Sequence, residues 1–242
     1  MVFNTYLRFL IFSFQVAWEM VNAPTVIERK KKSRLEILQE LQGKACDDQC
    51  GGNWKIMAEE TLERNHVTRK VFCQAVYNLL EQGRGKYRNI LLTGPANCGK
   101  TFILLPLTVI YECFANPATN TFAWVGAEKA EVIFLNDFRW SPQILPWHDL
   151  LLLLEGGLVH FPAPKTHFAK DLALEGDTPV FATSKHALIY IKGGVIDETE
   201  TDMMTVRWKQ FIFQSPIPST VQRCVPPCGP CFAKFILHNI QL

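Results

Sequence analysis

Charge of one sign is what this sequence lacks. Its 25 Lys and Arg nearly balance 23 Asp and Glu, leaving a net +2 over 242 residues. That is too little for the chain as a whole to announce nucleic-acid binding, so any such surface must come from local clusters. Internal repeats and low-complexity tracts are absent too, which excludes a repeat array. Beyond residue 22 no apolar run is long enough to span a bilayer, since "ILPWHDLLLLLEGG" is short and broken by charge. Histidine is scarce, and His66 is the only one before residue 88. Apolar residues at 48% and aromatics at 12% exclude a disordered chain.

Cysteine, by contrast, is plentiful. The eight are Cys46, Cys50, Cys73, Cys98, Cys113, Cys224, Cys228 and Cys231. The chain is too long and too apolar for a disulfide miniprotein, and a bridge at Cys98 would sit awkwardly in a glycine loop, so a reducing compartment is expected. The opening "MVFNTYLRFLIFSFQVAWEM" resembles a signal peptide in its apolarity. Arg8 and Gln15 interrupt it and no small-x-small cleavage site follows cleanly. The expectation is a helix packed on the body or a replaced start, with secretion as the alternative and no membrane span. "ERKKKSR" (Glu28 to Arg34) reads as a solvated linker, a nuclear address or a phosphate contact.

Helical signals dominate the first third. "SRLEILQELQG" has a serine start, a periodic apolar face and a glycine stop. "NWKIMAEETLERN" puts Trp54, Met57, Ala58 and Leu62 on one side. Thr68 opens "RKVFCQAVYNLLEQG", with a stripe of Phe72, Ala75, Val76, Leu79 and Leu80 and a stop at Gly83. Then the pattern alternates. Asn89 to Thr93 reads as a buried strand, and Gly99 to about Phe114 as a helix kinked or shortened at Pro106. "TFAWVG" and "EVIFLND" read as strands, "LPWHDLLLLLEGG" as a helix and "TPVFATS" as a strand. The fold class is therefore α/β, a mostly parallel central sheet with flanking helices preceded by a small helical region. The expected organisation is an apolar and basic segment over 1–34, a helical region over 35–87, an ATPase-like domain over 88–214 and a Cys-rich tail over 215–242.

The strand-to-helix turn after β-like "NILLT" is "GPANCGKT". Gly94, Gly99, Lys100 and Thr101 fit G-x-x-x-x-G-K-[ST]. Such a loop curls its backbone N–H groups inward at phosphate oxygens, and glycine permits both the dihedrals and the close approach. Gly94, Pro95, Ala96, Asn97, Cys98 and Gly99 would then wrap ATP. Lys100 reaches the β/γ-phosphates, Thr101 lends its hydroxyl to Mg²⁺, and the helix dipole faces the anion. The bland alternative is a glycine turn that binds nothing. A P-loop also needs an acid at the end of a neighbouring strand. "VIFLND" offers Asp137, for Mg²⁺ or for the attacking water, unless it merely caps the turn.

The order of "GPANCGKT", "EVIFLND", "LLEGGLVHFPAPKTHF" and "DTPVFATSK" resembles the A, B, B′, C series of superfamily 3 helicases. It looks closest to parvovirus replication initiators and their endogenised or mobile-element copies, over roughly residues 88 to 214. The resemblance implies an AAA+-like ATPase that hydrolyses ATP in a homo-oligomeric, hexameric ring and moves along single-stranded or forked DNA. Lys100, Thr101 and Asp137 match its phosphate and Mg²⁺ residues. Gly157 to Lys165 matches its pore hairpin, so Lys165 would touch the DNA backbone with His160 and His167 as helpers. Arg207 lies where the family carries an arginine finger for the neighbour's γ-phosphate; its ordinary alternative is a surface strand residue in a salt bridge. Three departures stand out. Lys185 replaces the sensing asparagine, so its ammonium would contact the γ-phosphate of ATP without positioning water as an amide does; Asn136 replaces an acid; and residues 1 to 87 are too short for a nickase domain. A helicase fragment or reused remnant is therefore expected.

"RCVPPCGPCFAKFILHNI" brings Cys224, Cys228 and Cys231 together between turn-forming residues, as a tetrahedral Zn²⁺ site needs. The fourth ligand would be His238 or a cysteine of the Cys46–Cys50 pair. Three functions follow from the sequence: a nuclear ATP-driven DNA motor, a nucleotide- or DNA-binding remnant without turnover, and a small-molecule kinase. The last should carry an arginine-bearing lid, where "GGVIDETETDMM" offers acids.

Overall fold

The computed structural model describes residues 20–46, 48–117, 122–162 and 172–240. Residues 20–30 are helical, although the apolar opening itself lies outside the described part. Next comes α1 (Arg34–Gln42), started by a reciprocal cap. The Ser33 hydroxyl accepts from Glu36 N–H at 3.2 Å, and the Glu36 carboxylate accepts from Ser33 N–H at 2.7 Å. Helices α2 (Asn53–Arg64) and α3 (Arg69–Gln82) follow, and their expected apolar stripes face inward.

After β1 (Asn89–Thr93) the expected long helix is two short ones, α4 (Lys100–Leu104) and α5 (Leu107–Ile110). Pro106 lies in the break between them and has no N–H to continue the ladder. The chain is extended by Tyr111 and forms β2 (Cys113–Phe114) where helix was expected. "TFAWVG" is corrected as well. Its described residues, 122–126, form turns, followed by a 3₁₀ turn at Ala127–Lys129. Trp124 explains why: it is buried as a plug, stacked on Phe114 at 5.4 Å and Phe161 at 5.1 Å.

The remaining elements are β3 (Val132–Leu135), α6 (Trp147–Glu155), β4 (Val159–Phe161), β5 (Leu172–Leu174) and β6 (Val180–Ser184). They are followed by β7 (Ile191–Lys192), β8 (Val195–Ile196), α7 (Glu198–Thr205), β9 (Trp208–Ile212) and α8 (Gly229–Leu237). The central sheet has the order β2-β3-β6-β1-β9, and every neighbouring pair is parallel. Two antiparallel pairs, β4 with β5 and β7 with β8, stand apart from it.

Alternation along the strands builds two cores. Ile90, Leu92, Val132, Phe134 and Phe181 face the side covered by α1, α2, α3 and α8. Leu91, Ile133, Leu135, Val180 and Ala182 face Trp124, α6 and Met204. A strand covered on both faces must be apolar at every position, which is why these runs do not alternate with polar residues. On the first side Trp54 packs edge-on to Phe232 and Phe235 of α8, at 5.6 and 5.8 Å. Helix α8 is thus part of this core, joined to the helices that precede the sheet.

A candidate nucleotide cleft and a thiol cluster

β1 ends at Thr93, and the chain turns through Gly94–Gly99 before α4 begins. Two glycines are obligatory here. Gly94 has φ +142°, and a Cβ on it would lie 1.7 Å from the Phe213 carbonyl oxygen. Gly99 has φ +84°, and its Cβ would meet Thr61 Cγ2 at 2.6 Å. The loop is held from outside. Asn65, on the C-terminal end of α2, donates from Nδ2 to Cys98 O at 3.2 Å and accepts from Ser215 N–H at 2.9 Å. Asn97 donates from Nδ2 to Ile217 O at 2.7 Å, and Ile217 N–H returns a bond to Asn97 O at 2.8 Å. Asn65 was invisible to sequence reasoning, because its partners lie far along the chain.

Lys100 Nζ folds over the loop and donates to Gly94 O at 2.7 Å and Pro95 O at 2.5 Å. Burial lowers its pKa; Lys185 pushes the same way, against Cys98 and Asp137. Thr101 Oγ1 donates to Asn136 Oδ1 at 2.6 Å, and Thr183 Oγ1 donates to the same oxygen at 2.9 Å. Thr183 Oγ1 in turn accepts from Asp137 N–H at 2.7 Å. Asp137 has φ +50° and an exposed carboxylate, 3.4 Å from Arg139. Lys100, Thr101, Asn136, Asp137, Thr183 and Lys185 all border one open cleft of about 520 Å³, with Ala96, Asn97, Cys98 and Gly99 along its loop side. Three adjacent strands, β1, β6 and β3, deliver these groups from their carboxyl ends.

Elsewhere the expectations fare differently. His160 is exposed on β4, opposite Ala173 in the β4–β5 hairpin. Lys165 and His167 lie outside the described residues. Arg207 needs correction. It is only 5% exposed and lies just before β9. Its guanidinium donates to Leu151 O at 2.9 Å, to Met203 O, and to Glu155 Oε2 at 2.6 Å. An arginine that serves a neighbour's phosphate must present its guanidinium at the surface, and this one is an internal strut. The salt-bridge alternative describes it, although it is buried and not on a surface strand.

The cysteine expectation is also revised. Cys224 is exposed and lies apart, and so does His238. Both members of the N-terminal pair join the other two instead. The sulfurs of Cys46, Cys50, Cys228 and Cys231 all lie within 4.8 Å of one another. Burial works against a Cys46 thiolate, yet hydrogen bonds with Cys231, Gly52 N–H, Cys50 and Cys228 outweigh it and hold that pKa below the ordinary thiol value. Burial, then contact with Cys46 and Cys228, pushes Cys231 up.

Among the described residues no helix is long and apolar enough to cross a membrane. No family model matches the sequence, and no curated protein matches it. Among the solved structures that it resembles is a JCV helicase with a thiazolopyridine phenoxyphenyl acetamide bound. That match has a TM-score of 0.46 and 15% identity, over 83% of this chain and 58% of that chain. The chain thus spans less than two thirds of the length of the helicase it matches.

Proposed function

We propose that this chain is the ATP-hydrolysing core of a DNA helicase. The observation that carries the nucleotide part is the convergence of Lys100, Thr101, Asn136, Asp137, Thr183 and Lys185 on one cleft. In open parallel sheets, ligands bind in the crevice outside the carboxyl ends of the strands. Two ammonium groups, Lys100 and Lys185, border that crevice and suit a polyphosphate. Lys100 exchanges its bonds with Gly94 O and Pro95 O for phosphate oxygens. Oxygen donors suit a hard cation, and Thr101, Asn136 and Asp137 supply them, so these three would hold Mg²⁺. The chemistry such a cation would supply there is neutralisation of phosphate charge. Asp137, exposed at the rim, has an alternative role to holding the cation, which is to polarise the attacking water. The DNA part rests on the motif resemblance, which gives Lys165, His160 and His167 to single-stranded or forked DNA in a ring of copies; of these, His160 is exposed on β4.

One observation favours a second reading, nucleotide binding without turnover. Asn136 places a neutral amide oxygen 2.6 Å from Thr101, where hydrolysis is helped by a carboxylate. ATP turnover measured with and without single-stranded DNA separates the two, in the native chain and in Lys100→Ala. DNA-stimulated turnover that falls about 10²-fold or more in the variant supports the motor. Binding without turnover supports the second reading, and neither binding nor turnover overturns both.

A further inference from the structure

We propose that Cys46, Cys50, Cys228 and Cys231 form a structural zinc site that fastens the loop before α2 to the start of α8. None of its four ligands lines the nucleotide cleft. A tetrahedral ion with Zn–S bonds of about 2.3 Å sets its sulfurs roughly 3.8 Å apart. The sulfurs here lie at 3.6 Å for Cys46 and Cys228, 3.3 Å for Cys46 and Cys231, and 3.8 Å for Cys50 and Cys231. No exclusive pairs exist, as two disulfides would require: Cys46 lies within 3.6 Å of both Cys228 and Cys231, and Cys231 within 3.8 Å of both Cys46 and Cys50. Four sulfur donors and no open position describe a closed site, one that holds structure and does no chemistry.

The surroundings are those of a thiolate ligand set. Gly52 N–H donates to Cys46 Sγ at 3.2 Å, and Trp54 N–H donates to Cys50 Sγ at 3.4 Å. Backbone donors of this kind stabilise charge on sulfur and orient the ligands. Gly51 at φ +51° and Gly52 at φ +84° let the chain bend back far enough to deliver them. The second pair sits at the cap of α8, where Cys228 precedes Gly229 and Pro230 opens the first turn.

The consequence reaches the cleft. Cys46 and Cys228 are 182 residues apart, so the ion would tie distant parts of one chain. Helix α2 starts beside this site and ends at its cap Asn65, which donates to Cys98 O at 3.2 Å in the cleft loop. Metal at one end of α2 therefore steadies the loop at the other.

The test is metal content by mass spectrometry of the whole, natively folded chain, with Cys224→Ser as control. The expected result is one zinc per chain, retained in Cys224→Ser and lost in Cys50→Ser and Cys228→Ser. Because those two variants can unfold, the native chain is also stripped and reloaded with Co²⁺. Visible bands of tetrahedral thiolate-bound cobalt that zinc displaces support the site. A folded chain that takes up neither ion, an intact mass showing disulfides among these four, iron in place of zinc, or zinc lost in Cys224→Ser would overturn it.

Discussion

The two edges of the central sheet use similar polar side chains to opposite ends. At the amino edge, Asn89 opens β1 and its Nδ2 donates to Gly85 O, Leu154 O and Arg207 O at 3.0, 2.6 and 2.8 Å. Arg84, 2% exposed, donates to Gly176 O, Leu153 O and Leu174 O. Arg207 completes that edge with its bonds to Glu155 and two carbonyls. These donors meet acceptors within the chain, which closes the edge. At the carboxyl edge Lys100, Asn136 and Lys185 line an open cleft. A cation or an amide is therefore not a functional signal by itself. Both edges bond internally, but Arg84, Asn89 and Arg207 are buried, whereas Lys100 and Asn136 keep their internal bonds at the wall of an open cleft, where a ligand can replace them.

The largest effect is expected at the closed edge. Arg207→Ala should cost about 2–4 kcal/mol by stranding the Leu151 and Met203 carbonyls, while Glu155 keeps its pairing with Lys86 at 2.6 Å. Urea unfolding checks this, with ATP turnover per folded chain expected to stay near native. A turnover collapse at native stability would return Arg207 to the role of a finger. At the open edge, Gly99→Ala should destabilise by about 1–3 kcal/mol, through its positive φ and the collision with Thr61. Adding Thr61→Ala should recover part of that loss; no recovery in the double variant would mean that α2 does not brace the loop.

Asn136→Asp tests a smaller effect. A carboxylate beside Thr101 should lower the Mg²⁺ concentration for half-maximal nucleotide binding or turnover by about 3- to 10-fold. An unchanged Mg²⁺ titration would remove Asn136 from the cation's surroundings. The smallest expected signal is acid sensitivity. Lys86, and then Arg207, hold the Glu155 carboxyl below its ordinary value. A lowered carboxyl pKa gives stability that is present above the unfolded value, about 4.3, and lost as pH falls through the folded one. The urea midpoint should therefore drop on acidification below about pH 4. Glu155→Gln should flatten that part of the profile, and an unaltered profile would show that the pair contributes nothing.

Local chemistry was legible in the sequence wherever neighbours along the chain did the work. The strands "NILLT", "VIFL" and "VFATS", the helix stripes and the loop from Gly94 to Thr101 each carry their signal within a few residues, because dihedral freedom, periodicity and caps act over that range. The placement of Asn136 and Asp137 at a strand end belongs with them. Non-local contacts decided the rest. Trp124 turned an expected strand into a plug by stacking on two rings from elsewhere in the chain. Arg207 became a strut because the parallel order of β1 and β9 puts its residue at the edge away from the cleft. Cys46 and Cys50 displaced Cys224 because α8 folds back onto α1, α2 and α3. Sequence specified which groups were present and how each stretch would coil. Only closure of the sheet and its two cores decided which of those groups would face one another, since burial and pairing depend on what the rest of the chain brings to the same point in space.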